Sequence, residues 1–331
     1  MVNTAIAPWI ARADFHDQTA LDAFLNKLDG TSTKERLGAN AILATSIAFA
    51  RASAMEKKVP LWKHLRSLSR VTTPHIPRLF VNVINGGLHA GNGLHFQEYL
   101  IIPKAKRYAE AIDVAVAVYH ELGRALLASK GRGAANLGDE GGYAPIFKDD
   151  TEPFALIRTA AGRARLGGKI DLGMDAAATD TGFSKVLLKK AYERLIKTYK
   201  PIYLEDPFSE NDFSGFSELT ARHGKKMWIA GDDLTTTNVR RMAEAHEEGS
   251  VNSLIIKPNQ IGSVTEALDA VRLARKYRWG VIASHRSGET NDDFIADFAY
   301  GVGADGFKLG APARGERVAK YNRLLEIERE R

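Results

Sequence analysis

From Pro77 onward, short apolar segments alternate with amphipathic ones, and nearly every apolar segment ends in a charged or amide side chain. The apolar segments are 79–84, 98–102, 170–174, 202–204, 227–230, 253–256, 280–283 and 306–309, with helical patterns such as 105–129, 236–247, 263–277 and 291–300 between most of them. Such alternation predicts an α/β fold with parallel strands and right-handed crossovers. A doubly wound sheet and a closed barrel both satisfy it. The polar residues favour the barrel: Asn85, Gln97-Glu98, Asp175, Glu205-Asp206, Asp232-Asp233, Lys257, His285-Arg286 and Lys308 fall at segment after segment. A barrel gathers its strand ends at one mouth, where barrel enzymes keep their chemistry, whereas a doubly wound sheet concentrates its site at one switch point. No Gly-x-Gly-x-x-Gly opens a helix after the first strand. The expected architecture is a TIM-like (β/α)8 barrel.

Residues 1–73 have a different texture. Residues 17–28 read as an amphipathic helix closed by Asp29-Gly30, and residues 38–58 as an alanine-rich helix ended near Pro60. Helices of this kind bury one apolar stripe against a neighbour. The boundary with the barrel is expected between residues 73 and 74. At 331 residues the chain suits one large domain or two moderate ones.

Composition mainly excludes. There is no cysteine, so a disulfide framework and thiolate metal sites are ruled out, and a reducing, cytoplasmic compartment suits the chain. No apolar run approaches the roughly 18 residues that span a bilayer, and residues 1–13 do not read as a secretory signal. The net charge of +6 is spread over helical stretches at 158–165, 185–200 and 314–331. These also carry acids or alanines and read as solvated helix faces, with no aromatic-interleaved basic block of the kind that binds single strands, so no nucleic-acid partner is expected.

Three acids carry the first chemical argument. Asp175, Glu205 and Asp232 close three successive strands, which lie about 5 Å apart. Carboxylates packed so closely repel and protonate unless a cation holds them, and hard oxygen donors without His or Cys point to magnesium. The competing use, as isolated helix caps, fits one acid better than three. Lys257 and Lys308 each close a strand at the same mouth. A lysine beside cations has a lowered pKa and can act as a base, and a lysine base with magnesium suits removal of a proton next to a carboxylate. Arg286 and Ser287, in the loop after the seventh strand, offer a donor fork and a hydroxyl to phosphate. Glu98 and Glu140 supply glutamates for a general acid, which requires a raised pKa. His89 lies in a glycine-rich segment that could close over substrate. The residues alone therefore reach a magnesium barrel acting on a phosphorylated carboxylate.

The strings that carry these residues resemble enolases over essentially the whole chain. They include Gly38 to Leu43, Asn82 to Gly87, His89 to Asn92, Gly138 to Gly142, Glu205 to Phe208, Gly231 to Thr235, Ser284 to Thr290 and Gly310 to Pro312. The opening, from Ile6 to Gly30, resembles the eukaryotic members. The resemblance implies a phosphopyruvate hydratase interconverting 2-phosphoglycerate and phosphoenolpyruvate in glycolysis. It implies Lys257 as the base for the alpha proton and Glu140 as the acid for the leaving hydroxide, with Glu98 beside it. Asp175, Glu205 and Asp232 would hold magnesium, Lys308 would meet the substrate carboxylate, and Arg286 with Ser287 the phosphate. Gln97, His89 and His285 would complete the pocket of a homodimeric enzyme. It also implies an irregular barrel with an early antiparallel strand. Residues 1–73 resemble a truncated, mainly helical remnant of the family's capping domain, without the loop whose serine helps bind a second magnesium. Activity would suffer from that loss. The stretch from Asp175 to Glu205 is shorter than the family's, and Ala178-Thr179, Leu88, Pro258 and Leu309 depart from its pattern. A lyase of the same superfamily with another substrate, or a non-catalytic binding module, are the alternatives.

Overall fold

The computed structural model describes residues 1–71 and 75–331; the expected boundary at 73/74 lies outside them. Eight strands close into a barrel in chain order. They are β1 (Arg78–Asn85), β2 (Glu98–Pro103), β3 (Ile170–Asp175), β4 (Tyr203–Glu205), β5 (Trp228–Gly231), β6 (Ser253–Ile256), β7 (Gly280–Ser284) and β8 (Gly306–Lys308). Each overlaps a segment read from the sequence. β1 pairs in parallel with β8, with Phe80 opposite Lys308, and so shuts the cylinder.

The reading of the alternation as all-parallel strands needs correction, in the sense that the resemblance implies. The strands are not all parallel, because β2 runs antiparallel to both β1 and β3. Residues 86–97 between β1 and β2 hold only a single 3-10 turn, Gly87–His89. Without a crossover helix the chain cannot return to start a parallel neighbour, so it reverses directly. Glu98 therefore opens a strand instead of ending one, and still stands at the mouth beside Asp175, its cross-strand partner. The link from β2 to β3 carries two helices, Tyr108–Lys130 and Glu152–Arg163.

Alternation with period two sorts the side chains. In β4, Leu204 faces the surrounding helices while Tyr203 packs in the lumen with Phe80, Leu100, Ile102, Ala230, Ile255 and Ile282. That apolar plug fills the barrel below the site; Phe80 meets Tyr203 edge to face, ring centres 4.7 Å apart.

Among the described residues 1–71 the structure is helical. The helix Gln18–Asp29 starts at Asp17, whose carboxylate accepts from Ala20 N at 2.8 Å, and stops at Gly30, where φ is +73°. The helix Ala39–Glu56 packs beside it over Leu21, Leu25, Leu37 and Ile42. Both reach the barrel at the start of the helix Val264–Lys276, where Asp22 accepts from Thr265 N and Ser46 Oγ accepts from Val264 N.

Candidate active site

The alternation that buries Tyr203 turns Glu205 into the mouth, and Asp175, Glu98 and Lys308 join it from neighbouring strands. Lys308 is the hub: its Nζ lies 2.9 Å from Asp175 Oδ2, 2.8 Å from Glu205 Oε2 and 3.1 Å from Glu98 Oε1. Burial alone would lower its pKa, but Asp175, Glu205 and Glu98 hold it well above the usual lysine range. Tyr203 Oη donates to Glu205 at 2.6 Å. Even so, burial and then the charge of Asp175 push Glu205 up to about 8.

Lys257, at the end of β6, pairs with Asp232 just after β5. The sequence reading expected its pKa to be lowered. Burial does act that way, but Asp232 outweighs it and raises the lysine above its ordinary value. A cation at the carboxylate was the premise of that expectation, and in the free chain the carboxylate is left to the lysine. Gln260 Nε2 also donates to Asp232, at 3.3 Å.

Glu98 and Glu140 form the second half of the mouth. With His89 they bring three potential ligand atoms within 4.8 Å of one another. Burial, reinforced by Glu140, raises Glu98 well above the carboxylate range. Burial also opposes ionisation of Glu140, but His285 and then Lys308 hold it well below. The raised glutamate is thus Glu98, and Glu140 is the one held low. Glu140 accepts from Asn82 Nδ2 at 3.0 Å, and His285 Nε2 lies 3.4 Å from its Oε2.

Across the loops, His89 Nε2 is 3.0 Å from Ser287 Oγ and its Nδ1 is 3.9 Å from Glu140. Arg286 is exposed, touching Asn259 Oδ1 at 3.2 Å. Gln97 Nε2 approaches Asp175 Oδ2 at 3.5 Å. The glycines around these loops are forced by close approach: a Cβ on Gly86 would lie 2.3 Å from the Phe96 carbonyl, and one on Gly142 2.7 Å from Asn85 Oδ1.

Three participants had no role in the sequence reading. Asp206, buried beside the acids, accepts from the backbone N–H of Asp232 at 2.9 Å and of Asp233 at 2.8 Å, so it fixes the turn after β5. Asn82 was seen only as part of a string. Arg317, assigned to a solvated helix face, is instead wholly buried, as is Lys320. The signal was available: the buried positions of the helix Gly315–Glu330 are 317, 320, 321, 324 and 327, the spacing of one helical face.

The donor set suits magnesium. Asp175, Glu205 and Asp232 are buried carboxylates on adjacent strands, offering hard oxygen and no sulfur. Burial first, and then the charge of Asp175, disfavour ionised Glu205, a cost that a dication at these carboxylates would offset.

Fold and mouth together define a barrel with acids and bases brought to the strand ends, the arrangement of an acid–base enzyme. The description "Enolase, C-terminal TIM barrel domain" matches residues 73–185 and 179–331, and "Enolase, N-terminal domain" matches residues 1–65. The two barrel matches meet inside the stretch between Asp175 and Glu205 that reads as short. The chain is 43% identical to "Enolase" of Solanum lycopersicum and 42% identical to "Enolase 2" of Hevea brasiliensis. In both cases the alignment covers 99% of this chain and 80% of the relative. The chain belongs to the enolase family.

Proposed function

We propose that this enolase-family chain is a phosphopyruvate hydratase, catalysing the magnesium-dependent, reversible dehydration of 2-phospho-D-glycerate to phosphoenolpyruvate in glycolysis. The observation that carries the reading is the placement of base and acid. Lys257 closes β6 and Glu98 opens β2, four strands away in either direction round the eight. A substrate at the centre of the mouth thus meets a lysine on one side and the Glu98–Glu140 pair on the other.

In the dehydration direction Lys257, neutral once Asp232 is drawn away from it, takes the proton from the carbon bearing the phosphate ester. The electron pair left behind expels hydroxide from the adjacent carbon, and a proton from the glutamate pair completes the departing water. Glu98 stores that proton and Glu140 delivers it, consistent with burial raising the first and His285 lowering the second. Magnesium held by Asp175, Glu205 and Asp232 would supply positive charge for a substrate carboxylate gaining a second negative charge, and would compete with Lys257 for Asp232. Lys308 is the cation available to the substrate carboxylate, and Arg286 with Ser287 takes the phosphate. Gln97, His89 and His285 shape the remaining wall. The division into residues 1–73 and 74–331, a homodimeric assembly and a cytoplasmic setting follow the same family reading. Small molecules, not nucleic acid, are its partners, and among the described residues no helix is long and apolar enough to cross a membrane.

The test is phosphoenolpyruvate absorbance with 2-phosphoglycerate and magnesium. Wild type is expected to turn over and Lys257→Ala to lose about 10²–10⁴-fold, the usual worth of a general base. No turnover by folded wild type that still binds magnesium would overturn the reading in favour of a binding module. Turnover confined to another acid would overturn it in favour of a different lyase.

A further inference from the structure

Behind His285 lies an arginine to which the proposed chemistry gives no role. Arg317 projects from the first turn of the helix Gly315–Glu330 and is 0% exposed. Its Nη1 lies 2.6 Å from His285 Nδ1 and donates to the Arg286 carbonyl at 2.5 Å. Its Nη2 donates to the carbonyls of Ser287 at 2.6 Å and Asp139 at 3.2 Å. Among the described residues its carboxylate partner is Glu316 alone, at the long distance of 3.8 Å from Nε to Oε1.

A buried guanidinium held at hydrogen-bond distance by carbonyls and an imidazole, with its one carboxylate farther off, is costly, since an ion loses its hydration and receives mostly dipoles in return. What the arrangement secures is a direction. A guanidinium has donors and no acceptor. The Nδ1 it contacts must therefore present a lone pair, which leaves the single proton of a neutral imidazole on Nε2. That nitrogen is buried, makes no hydrogen bond of good geometry, and faces Glu140 Oε2 at 3.4 Å.

We propose that Arg317 is a positioning residue: it holds His285 in the Nε2–H tautomer, with the N–H turned towards Glu140, and ties the loop of Arg286 and Ser287 to that of Asp139 and Glu140. The assignment rests on the reading of His285 and Glu140 as site residues. In the opposite tautomer a lone pair would face the Glu140 carboxylate, and the two groups would repel. One side chain thus sets both the orientation of the acid and the spacing of two loops.

The tautomer is read directly by nitrogen NMR of protein labelled at its nine histidines, with the His285 signals assigned by their loss in His285→Asn. Wild type at neutral pH is expected to show His285 Nε2 protonated and Nδ1 bare; a protonated Nδ1 overturns the proposal without any arginine variant. Arg317→Met removes the donors and keeps the bulk. It is expected to release the tautomer and to lower kcat about 10²-fold, the low end for acid–base groups, with a smaller change in KM. Arg317→Lys keeps one donor for Nδ1 and is expected to restore the tautomer and most of kcat. A folded Arg317→Met with the wild-type tautomer and kcat would sink the idea. So would a change in KM alone, which marks a loop clamp. If Arg317→Met does not fold, the wild-type spectrum and Arg317→Lys decide. The wild-type spectrum needs no substrate, so absence of turnover with 2-phosphoglycerate would end the functional reading and leave the tautomer to be judged separately.

Discussion

Buried charge in this chain is nearly always answered, and His64 shows what the exception costs. Lys308 serves three carboxylates and Arg317 three carbonyls and a ring nitrogen. His64 is 2% exposed and neither ring nitrogen has a partner. Burial, with the charge of Lys57 adding, lowers its pKa below 6.5. Between that value and the folded one, the unfolded chain binds a proton that the folded chain refuses. Stability is thus full above pH 6.5 and is lost as the pH falls through the folded value. His64→Leu should flatten this acid-side loss and add about 1 kcal/mol near neutrality, since an unpaired buried polar group costs about 1–3 kcal/mol; urea unfolding at several pH values measures both. An unchanged pH slope would show that His64 is not the group responsible. At this scale the site was legible where identity and position suffice: Asp175, Glu205, Asp232, Lys257 and Lys308 announce themselves by ending apolar runs. Protonation was not legible. The state of Lys257 depends on Asp232, and that of Glu140 on His285, contacts that spacing alone does not specify.

Elements were legible where a period marks them and ambiguous where direction matters. The helix Gln18–Asp29 was readable from Asp17 and Gly30, and the strands from their apolar runs. The reversal of β2 was not, because a period of two reads the same both ways; only the missing crossover helix hints at it. The burial of Arg317 was hidden by weighing charge above helical phase. Among the helices, Asp297 ties three together. From the helix Phe294–Gly301 it accepts from Trp62 N at 3.1 Å, in the helix Leu61–Ser69, and from Arg323 Nε at 2.7 Å, in the helix Gly315–Glu330. Asp297→Ala is expected to cost about 2 kcal/mol, the worth of a hydrogen bond to a charged group. Glu330→Gln, at a half-exposed partner of the same arginine, should cost less than about 1 kcal/mol. Equal effects from the two in denaturant titrations would refute the tie.

For the whole molecule, the question is how residues 1–71 are joined to the barrel. One group of polar ties converges on the start of one helix: Asp22 accepts from Thr265 N at 2.9 Å and Oγ1 at 2.6 Å, and Lys34 meets Glu266 at 2.8 Å. A carboxylate at a helix N-terminus is favoured by the helix dipole and by free N–H groups. Asp22→Ala combined with Lys34→Ala should therefore loosen this region before the barrel. Limited proteolysis is expected to clip the variant between the helical region and β1 while wild type resists. Identical digestion patterns would place the joint in the ties of Arg51 to Asp292 and Asp293 and of Trp62 to Asp297 instead.

The closure of β1 against β8 also has a temporal side. During synthesis a chain emerges from its beginning onward, so Glu98, Asp175 and Glu205 exist before Lys308 and Arg317 do. Until Lys308 arrives, Glu98, Asp175 and Glu205 lack the lysine they later share, and Phe80 lacks its partner strand β8 to complete the ring. A nascent chain therefore has reason to keep its acidic strand ends apart and hydrated until late. Assembly of the reaction centre and closure of the barrel become one event.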